Sequence, residues 1–153
     1  MQTAGIDAIN NAVYLYLREL SEPRENSLRI VIEEAAANRS RAGEVNLPGL
    51  AEVAKGAATI ESVKGCRTFE ITWRRYVAYL VTEEAVGSCG KYQDEEFTGR
   101  FFRTYKKSHF LELLGKDTGG HQNLFTHHKI ICLNHLIDVA SSFDPVIGII
   151  STK

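Results

Sequence analysis

The stretch CRTFEITWRRYVAYLVTEEAVGS, from Cys66 to Ser88, carries the clearest β-strand pattern of the chain. Apolar residues alternate with polar ones from Phe69 to Trp73, and a second run of β-forming residues extends from Val77 to Thr82. A period of two is typical of strands that bury one face. The arginine pair between the two runs, Arg74 and Arg75, predicts the turn of an antiparallel hairpin.

Upstream of this stretch, the sequence predicts a helix followed by a strand. Apolar residues recur at three- and four-residue steps from Ile6 to Leu20, which predicts an amphipathic helix that ends before Pro23. Residues 28–33 alternate in the manner of a strand, but Val31 lies on the polar side, which indicates that this face is partly covered as well. Residues 38–56 predict a polar loop and then a short helical turn.

Downstream, a strand is predicted over Phe97–Arg103 and a short helix over residues 108–115, with Ser108 as its N-cap and Gly115 as its end. The remaining segments are rich in β-forming residues. The order of helix, strands, helix and strands predicts an α+β fold with a mostly antiparallel β-sheet. The N-terminal helix and the second short helix are expected to pack against this sheet within a single domain, residues 1–153.

Composition excludes several classes of protein. The net charge of −1 provides no general attraction for nucleic acid or for an anionic membrane. The three cysteines have no paired spacing and indicate reduced thiols. No signal peptide is recognisable, and no apolar run approaches the roughly 20 residues of a membrane span. A cytoplasmic protein without membrane association is therefore expected.

The segment HHKIICLNHLID, residues 127–138, raises the question of a metal site. In a helix, His128, Cys132 and His135 would share one face and could bind zinc. In a strand, the first two would lie roughly 13 Å apart and His135 would point to the opposite face. The many isoleucines favour a strand with a bend near Asn134, so neither a metal nor another cofactor is expected. A catalytic cysteine–histidine pair is disfavoured, since neighbours in one strand are poor partners.

Nucleic-acid binding is a weaker alternative. The segment GRFFRTYKKSHF, residues 99–110, places basic residues among aromatic ones, as some single-strand binders do. The acidic residues immediately before it offset this charge. The aromatic side chains are therefore predicted to pack the core, and nucleic acid is not the expected partner.

Three blocks of the sequence carry a resemblance. FEITWRRYVAYLVTEE, YKKSHFLELL and HHKIICLNHLIDV, the last with a proline soon after it, resemble a loose family of small bacterial proteins, some of them from mobile or accessory gene sets. The likeness extends over residues 66–140. It implies an α+β domain with a sheet at its centre, and it implies no activity.

A ligand pocket could form where aromatic side chains and carboxylates share a sheet face. The alternative is that the aromatic residues only pack a helix onto the sheet. A histidine with an aspartate or glutamate would add acid–base capacity. The candidate residues are Trp73, Tyr76, Tyr79, Glu83, His135 and Asp138.

Two functions follow as expectations. The first is a non-enzymatic binding or interaction protein of an accessory or immunity-like type, which acts as a homodimer or through another protein partner. The second is a small-molecule-binding protein or enzyme, with a pocket between the N-terminal helix and the sheet and with Glu83, His135 and Asp138 as its acid–base groups.

Overall fold

The computed structural model of the protein describes residues 2–38, 58–87 and 93–153. Its helices are α1 (Gln2–Asn10), α2 (Glu84–Gly87) and α3 (His109–Asp117), with a 3-10 turn at His121–Leu124. Its strands are β1 (Tyr14–Ser21), β2 (Leu28–Asn38), β3 (Thr59–Glu61), β4 (Arg67–Trp73), β5 (Ala78–Glu83), β6 (Glu96–Thr98), β7 (Phe102–Lys107), β8 (Thr126–Ile131), β9 (His135–Ser141) and β10 (Val146–Thr152). The loop and helical turn predicted for 38–56 lie outside the described residues, except for Asn38.

The strands form two sheets. The first has the order β1-β2-β4-β10, with β3 paired to β2, and the second has the order β5-β9-β8-β7-β6. Every strand pair within the described residues is antiparallel. The prediction of a mostly antiparallel β structure with a few helices is confirmed. No helix in these ranges is long and apolar enough to cross a membrane.

The hydrophobic core lies between the two sheets. Ile30 and Phe69 from the first sheet and Phe102, Ile130 and Ile137 from the second belong to one buried cluster, and each is at most 1% exposed. Burial of such side chains stabilises each by roughly 1.5–3 kcal/mol relative to an exposed position. The alternation of apolar and polar residues that predicts the strands therefore arises because each sheet turns one face toward this core.

The hairpin predicted at the arginine pair is wrong, although both strands exist. β4 pairs with β2 and β10, and β5 pairs with β9. The connection crosses between sheets, and the N–H of Tyr76 donates to the carbonyl of Asn26 at 2.8 Å. Alternation specifies a half-buried strand but not its partner, and the two strands belong to separate sheets.

The predicted helix over Ile6–Leu20 is also too long. α1 ends at Asn10, and the following Tyr-Leu-Tyr-Leu sequence forms β1 against β2. The Asn10 side-chain oxygen accepts hydrogen bonds from the N–H groups of Arg100, Phe101 and Phe102 at 2.9, 2.9 and 2.8 Å. This contact attaches the end of α1 to the second sheet, and alternating tyrosine and leucine then suit a strand.

The strand predicted over Phe97–Arg103 is divided into β6 and β7. Gly99 lies between them at φ +94°, and a Cβ there would approach the carbonyl oxygen of Phe102 to 2.0 Å. Only glycine fits this turn without strain. Residues 127–138 form the hairpin of β8 and β9, so the strand prediction is confirmed and the bend near Asn134 is its turn.

The second helix begins as predicted but ends later. The Ser108 hydroxyl accepts a hydrogen bond from the N–H of Leu111 at 3.1 Å, as an N-cap does. The helix continues through Gly115 to Asp117. Gly115 packs against Gln122, where a Cβ would lie 2.5 Å from the side-chain oxygen. The glycine therefore allows close packing and does not end the helix.

Candidate ligand-binding site

The hairpin of β8 and β9 has two chemically different faces. Ile130 and Ile137 are register partners that point into the core. Because side chains alternate along a strand, Lys129 and its register partner Asp138 lie on the opposite, outer face, and so does His127. Helix α3 packs over this outer face, since the Phe110 ring lies 5.0 Å from the His127 ring, centroid to centroid.

Three charged or polar side chains meet on the outer face. The Asp138 Oδ1 lies 2.8 Å from Nε2 of His127 and 3.3 Å from Nζ of Lys129. The side chains of Asp138, His127 and Lys129 are 9%, 2% and 23% exposed. A buried carboxylate is costly without such partners. Lys129 is therefore the most accessible member of a cluster whose aspartate is already paired.

The His127 ring is enclosed on several sides. The Tyr105 ring stacks on it at 4.2 Å with an interplanar angle of 17°, and burial raises the pKa of Tyr105. Nε2 contacts Asp138, while Nδ1 is buried and has no hydrogen-bond partner in the described part of the chain. Neither ring nitrogen is therefore accessible to a molecule outside the protein.

A cleft of about 320 Å³ opens above this cluster, between α3 and the sheet. Lys129 and Asp138 contribute its polar base. Leu80 and Leu113 are 51% and 57% exposed and supply apolar walls. The lining residues are Leu80, Thr82, Glu95, His109, Phe110, Leu113, His127, Lys129 and Asp138. A partly apolar cleft with a few convergent polar groups is the usual form of a small-molecule site.

The rim of the cleft carries an ion-pair cluster. His109 Nε2 lies 2.8 Å from Asp94 Oδ1, and its Nδ1 lies 3.4 Å from Glu112 Oε2. The hydrogen bond to Asp94 raises the pKa of His109, so that its protonated form is favoured. The backbone N–H of His109 donates to Glu95 at 3.0 Å. These contacts attach the beginning of α3 to the sheet beside the cleft.

The sheet separates the acid–base residues suggested by the sequence. Glu83 and His135 are register partners, and they share the face of Val81 and Ile137. Asp138 lies on the other face. The three side chains therefore do not form one site, and the cleft that contains Asp138 lies beneath α3 and not beneath the N-terminal helix.

The aromatic candidates also occupy separate positions. Trp73 is 1% exposed and belongs to the core. Tyr76 and Tyr79 pack edge to face at 5.0 Å, and their hydroxyls lie 2.7 and 3.2 Å from Glu22. Both tyrosines are thus near the β1–β2 loop, on a different part of the surface from Asp138.

Sequence reasoning missed His127 and Lys129 as site residues. The sequence does contain a signal for Lys129. If the chain turns near Asn134, Lys129 and Asp138 are at nearly equal distances from the turn and become cross-strand neighbours. His128, the adjacent histidine, instead points into the core, where burial lowers its pKa to about 4. Burial likewise raises the pKa of Cys132 to about 12. No group of three potential metal ligands occurs among the residues that the structure describes.

Comparison with protein-family models, with curated proteins and with solved structures finds no match for this chain. Relatives therefore offer no function that could be transferred. The function has to be inferred from the chemistry of the cleft and of the protein surface.

Proposed function

We propose that the protein is a non-enzymatic binding protein that holds a small organic carboxylate in the cleft between α3 and the β8–β9 hairpin. The observation that carries this proposal is the Lys129 ammonium group, which is held by Asp138 at the base of a cleft with apolar walls. The anionic group of the ligand would contact this ammonium, and its apolar part would lie against Leu80 and Leu113.

The charge of Lys129 is suited to this role. An ammonium group has three hydrogen-bond donors, and its ion pair with Asp138 at 3.3 Å leaves at least two of them for other partners. The remaining donors can serve a ligand without breaking the buried ion pair. Asp138 also restricts the flexible lysine side chain before the ligand arrives, which reduces the entropy lost on binding.

The surroundings of His127 argue against catalysis. A general base must reach the proton that it removes. Here Nε2 is committed to Asp138 and Nδ1 is buried. Within the described lining, Thr82 is the only hydroxyl and no thiol is present. The cluster therefore favours holding a ligand over transforming it.

A comparison of charge variants tests the proposal. Phenylacetate serves as the probe, benzyl alcohol as its uncharged analogue, and saturation-transfer NMR as the readout. Wild-type protein and the control Lys64→Met, which changes an exposed turn residue, should bind phenylacetate, whereas Lys129→Met should lose about tenfold or more in affinity. Equal binding by Lys129→Met, or equal binding of benzyl alcohol, would refute a site built on this ammonium.

The homodimer is a second proposal, and strand β10 supports it. This strand is at the edge of the first sheet, and Val146, Ile149 and Ile150 are 71%, 52% and 51% exposed. Exposed apolar edges are sites of strand pairing. Residues 146–152 carry no charged side chain, so that a second copy could pair with the strand about a twofold axis without like-charge repulsion.

Native mass spectrometry tests the homodimer. The wild type and the control Val13→Lys, which changes an exposed residue before β1, should give dimers, and Ile150→Lys should give monomers. A wild-type monomer at micromolar concentration would overturn this second proposal. The proposal also includes an accessory or immunity-like role in a cytoplasmic setting.

A further inference from the structure

Three connections meet at one end of the two sheets. The N–H of Tyr76 in the β4–β5 connection donates to Asn26 in the β1–β2 loop at 2.8 Å. The Ser141 hydroxyl donates to the carbonyl of Arg75 at 2.7 Å. The Arg74 guanidinium lies 3.6 Å from the centre of the Phe143 ring, which belongs to the β9–β10 loop. These contacts hold the three connections together.

A second cleft, of about 400 Å³, opens beside these connections and is separate from the cleft under α3. Its lining includes Arg24, Arg29 and Arg74, and Asp144 is the one carboxylate among the described residues that line it. Pro23 and Val146, which are both exposed, add apolar surface. A cleft with three guanidinium groups and one carboxylate favours an anionic ligand.

The three arginines differ in how far their charges are already paired. Arg29 contacts Glu19 at 2.6 Å and Glu70 at 2.5 Å. Arg24 and Arg74 form no ion pair in the ranges that the structure covers; Arg74 instead stacks on Phe143. These two guanidinium groups therefore keep their charge and their paired N–H donors available for a ligand.

Trp73 supplies an independent indication that a ligand binds in this cleft. Trp73 is among the residues that line the cleft, it is 1% exposed, and its indole Nε1 is buried without a hydrogen-bond partner within the described chain. Buried donors are nearly always paired in folded proteins, and an unpaired one calls for an explanation. An acceptor atom of a ligand that reaches the indole from the cleft would satisfy it.

We infer that this loop-end cleft binds the phosphate group of a small organic phosphate ester. Two guanidinium groups and one indole N–H provide donors for the three terminal oxygens of a phosphate, whereas a carboxylate has two oxygens. The exposed side chains of Pro23 and Val146 offer apolar surface to the ester group. This inference is independent of the proposed carboxylate site, because it rests on different residues and on a different ligand.

The single tryptophan of the chain makes the test specific, since Trp73 reports on this cleft. Phenyl phosphate is titrated while tryptophan fluorescence is followed, with benzyl alcohol and phenylacetate as comparison ligands. Phenyl phosphate should give a saturable change, and both comparison ligands should bind at least about tenfold more weakly. The variants Arg24→Gln and Arg74→Gln should each weaken binding by about tenfold or more, whereas the control Arg75→Gln should bind as the wild type does.

A second variant tests the indole donor. Trp73→Phe keeps an aromatic ring in the core and removes the N–H, and its affinity for phenyl phosphate is measured by calorimetry. A loss of about fivefold or more is expected. No saturable binding to the folded wild type, unchanged affinity in both arginine variants, or equal affinity for phenylacetate would overturn the phosphate site. None of these outcomes bears on Lys129.

Discussion

The Asp138 carboxylate lies 2.8 Å from Nε2 of His127, and the two residues are 11 positions apart in the sequence. They belong to opposite strands of one hairpin and are diagonal neighbours, two residues from direct register partners and on the same face. The contact holds a carboxylate at the base of the α3 cleft and orients the ammonium of Lys129 beside it. The binding chemistry proposed for this face depends on this pair.

Removal of the Asp138 charge should destabilise the fold. Asp138→Asn leaves the Lys129 ammonium without its anion in a site that is largely buried, and the expected loss in unfolding free energy is about 2–4 kcal/mol. Urea denaturation measures it, with Asp117→Asn at the exposed end of α3 as the control. The double variant Asp138→Asn with Lys129→Met should recover part of the loss, because no unpaired charge remains. No recovery would contradict the coupling.

The buried histidine should make stability depend on pH. Burial lowers the pKa of His128 to about 4, whereas an unfolded histidine titrates near 6.5. Between these values the unfolded chain binds a proton that the folded chain excludes, so stability is complete above pH 6.5 and falls as the pH drops toward 4. The expected loss is about 3 kcal/mol. His128→Phe should show a smaller loss between about pH 7 and pH 4.5 in urea denaturation; an equal loss would exclude His128 as the source.

A second acid-sensitive group should act at lower pH. Burial alone would raise the pKa of Glu33, but the contacts with Lys153 and Arg18 outweigh it and lower the pKa to about 2. This carboxylate therefore stabilises the fold above pH 4.5, and the contribution is lost as the pH falls toward 2.

The variant Glu33→Gln isolates that contribution. The Arg18 and Lys153 side chains are 49% and 53% exposed, and solvent screening reduces the expected effect to about 1–2 kcal/mol at neutral pH. The difference in stability between wild type and variant should diminish on acidification from about pH 5 to pH 2.5. A constant difference across that range would contradict the assigned pKa.

The side chain of Asn10 should contribute more to the stability of the fold than a partly exposed asparagine usually does. Its oxygen accepts three backbone N–H groups of the β6–β7 turn, and Asn10→Ala leaves them without this acceptor. A loss of about 2–3 kcal/mol is expected. Asn11→Ala, one residue along and exposed, is the matched control and should change stability by less than about 0.5 kcal/mol. Thermal or urea unfolding of both variants gives the comparison.

The sequence predicts those features of the fold that depend on neighbouring residues, and it does not predict those that depend on contacts between distant residues. Alternation along 28–33 and 69–73 reflects the burial of one face, a local property that identifies the strands. The partner of each strand depends on distant residues, so the sequence predicts a hairpin where the chain crosses between sheets. The apolar residues of 14–20 fit both the helical period and the strand period. The contact of Asn10 with a turn some 90 residues away, which ends the helix, has no local signal in the sequence.

The candidate site is likewise predictable only where it depends on local sequence. The sequence identifies Asp138 as a polar residue in an apolar run. Its partners depend on the position of the turn, because a shift of one residue would exchange the faces of His127 and His128. The crossing of α3 over the outer face, which converts that face into a cleft, is a tertiary contact without a local signal.

The most direct test of the account is to map where a carboxylate binds. Phenylacetate is titrated into nitrogen-labelled protein, and the backbone amide shifts are followed. The binding account predicts saturable shifts at Leu80, Leu113, Lys129 and Asp138, which are absent with benzyl alcohol. Shifts that do not saturate, or saturable shifts that occur elsewhere and leave these four amides unchanged, would contradict a carboxylate site beneath α3.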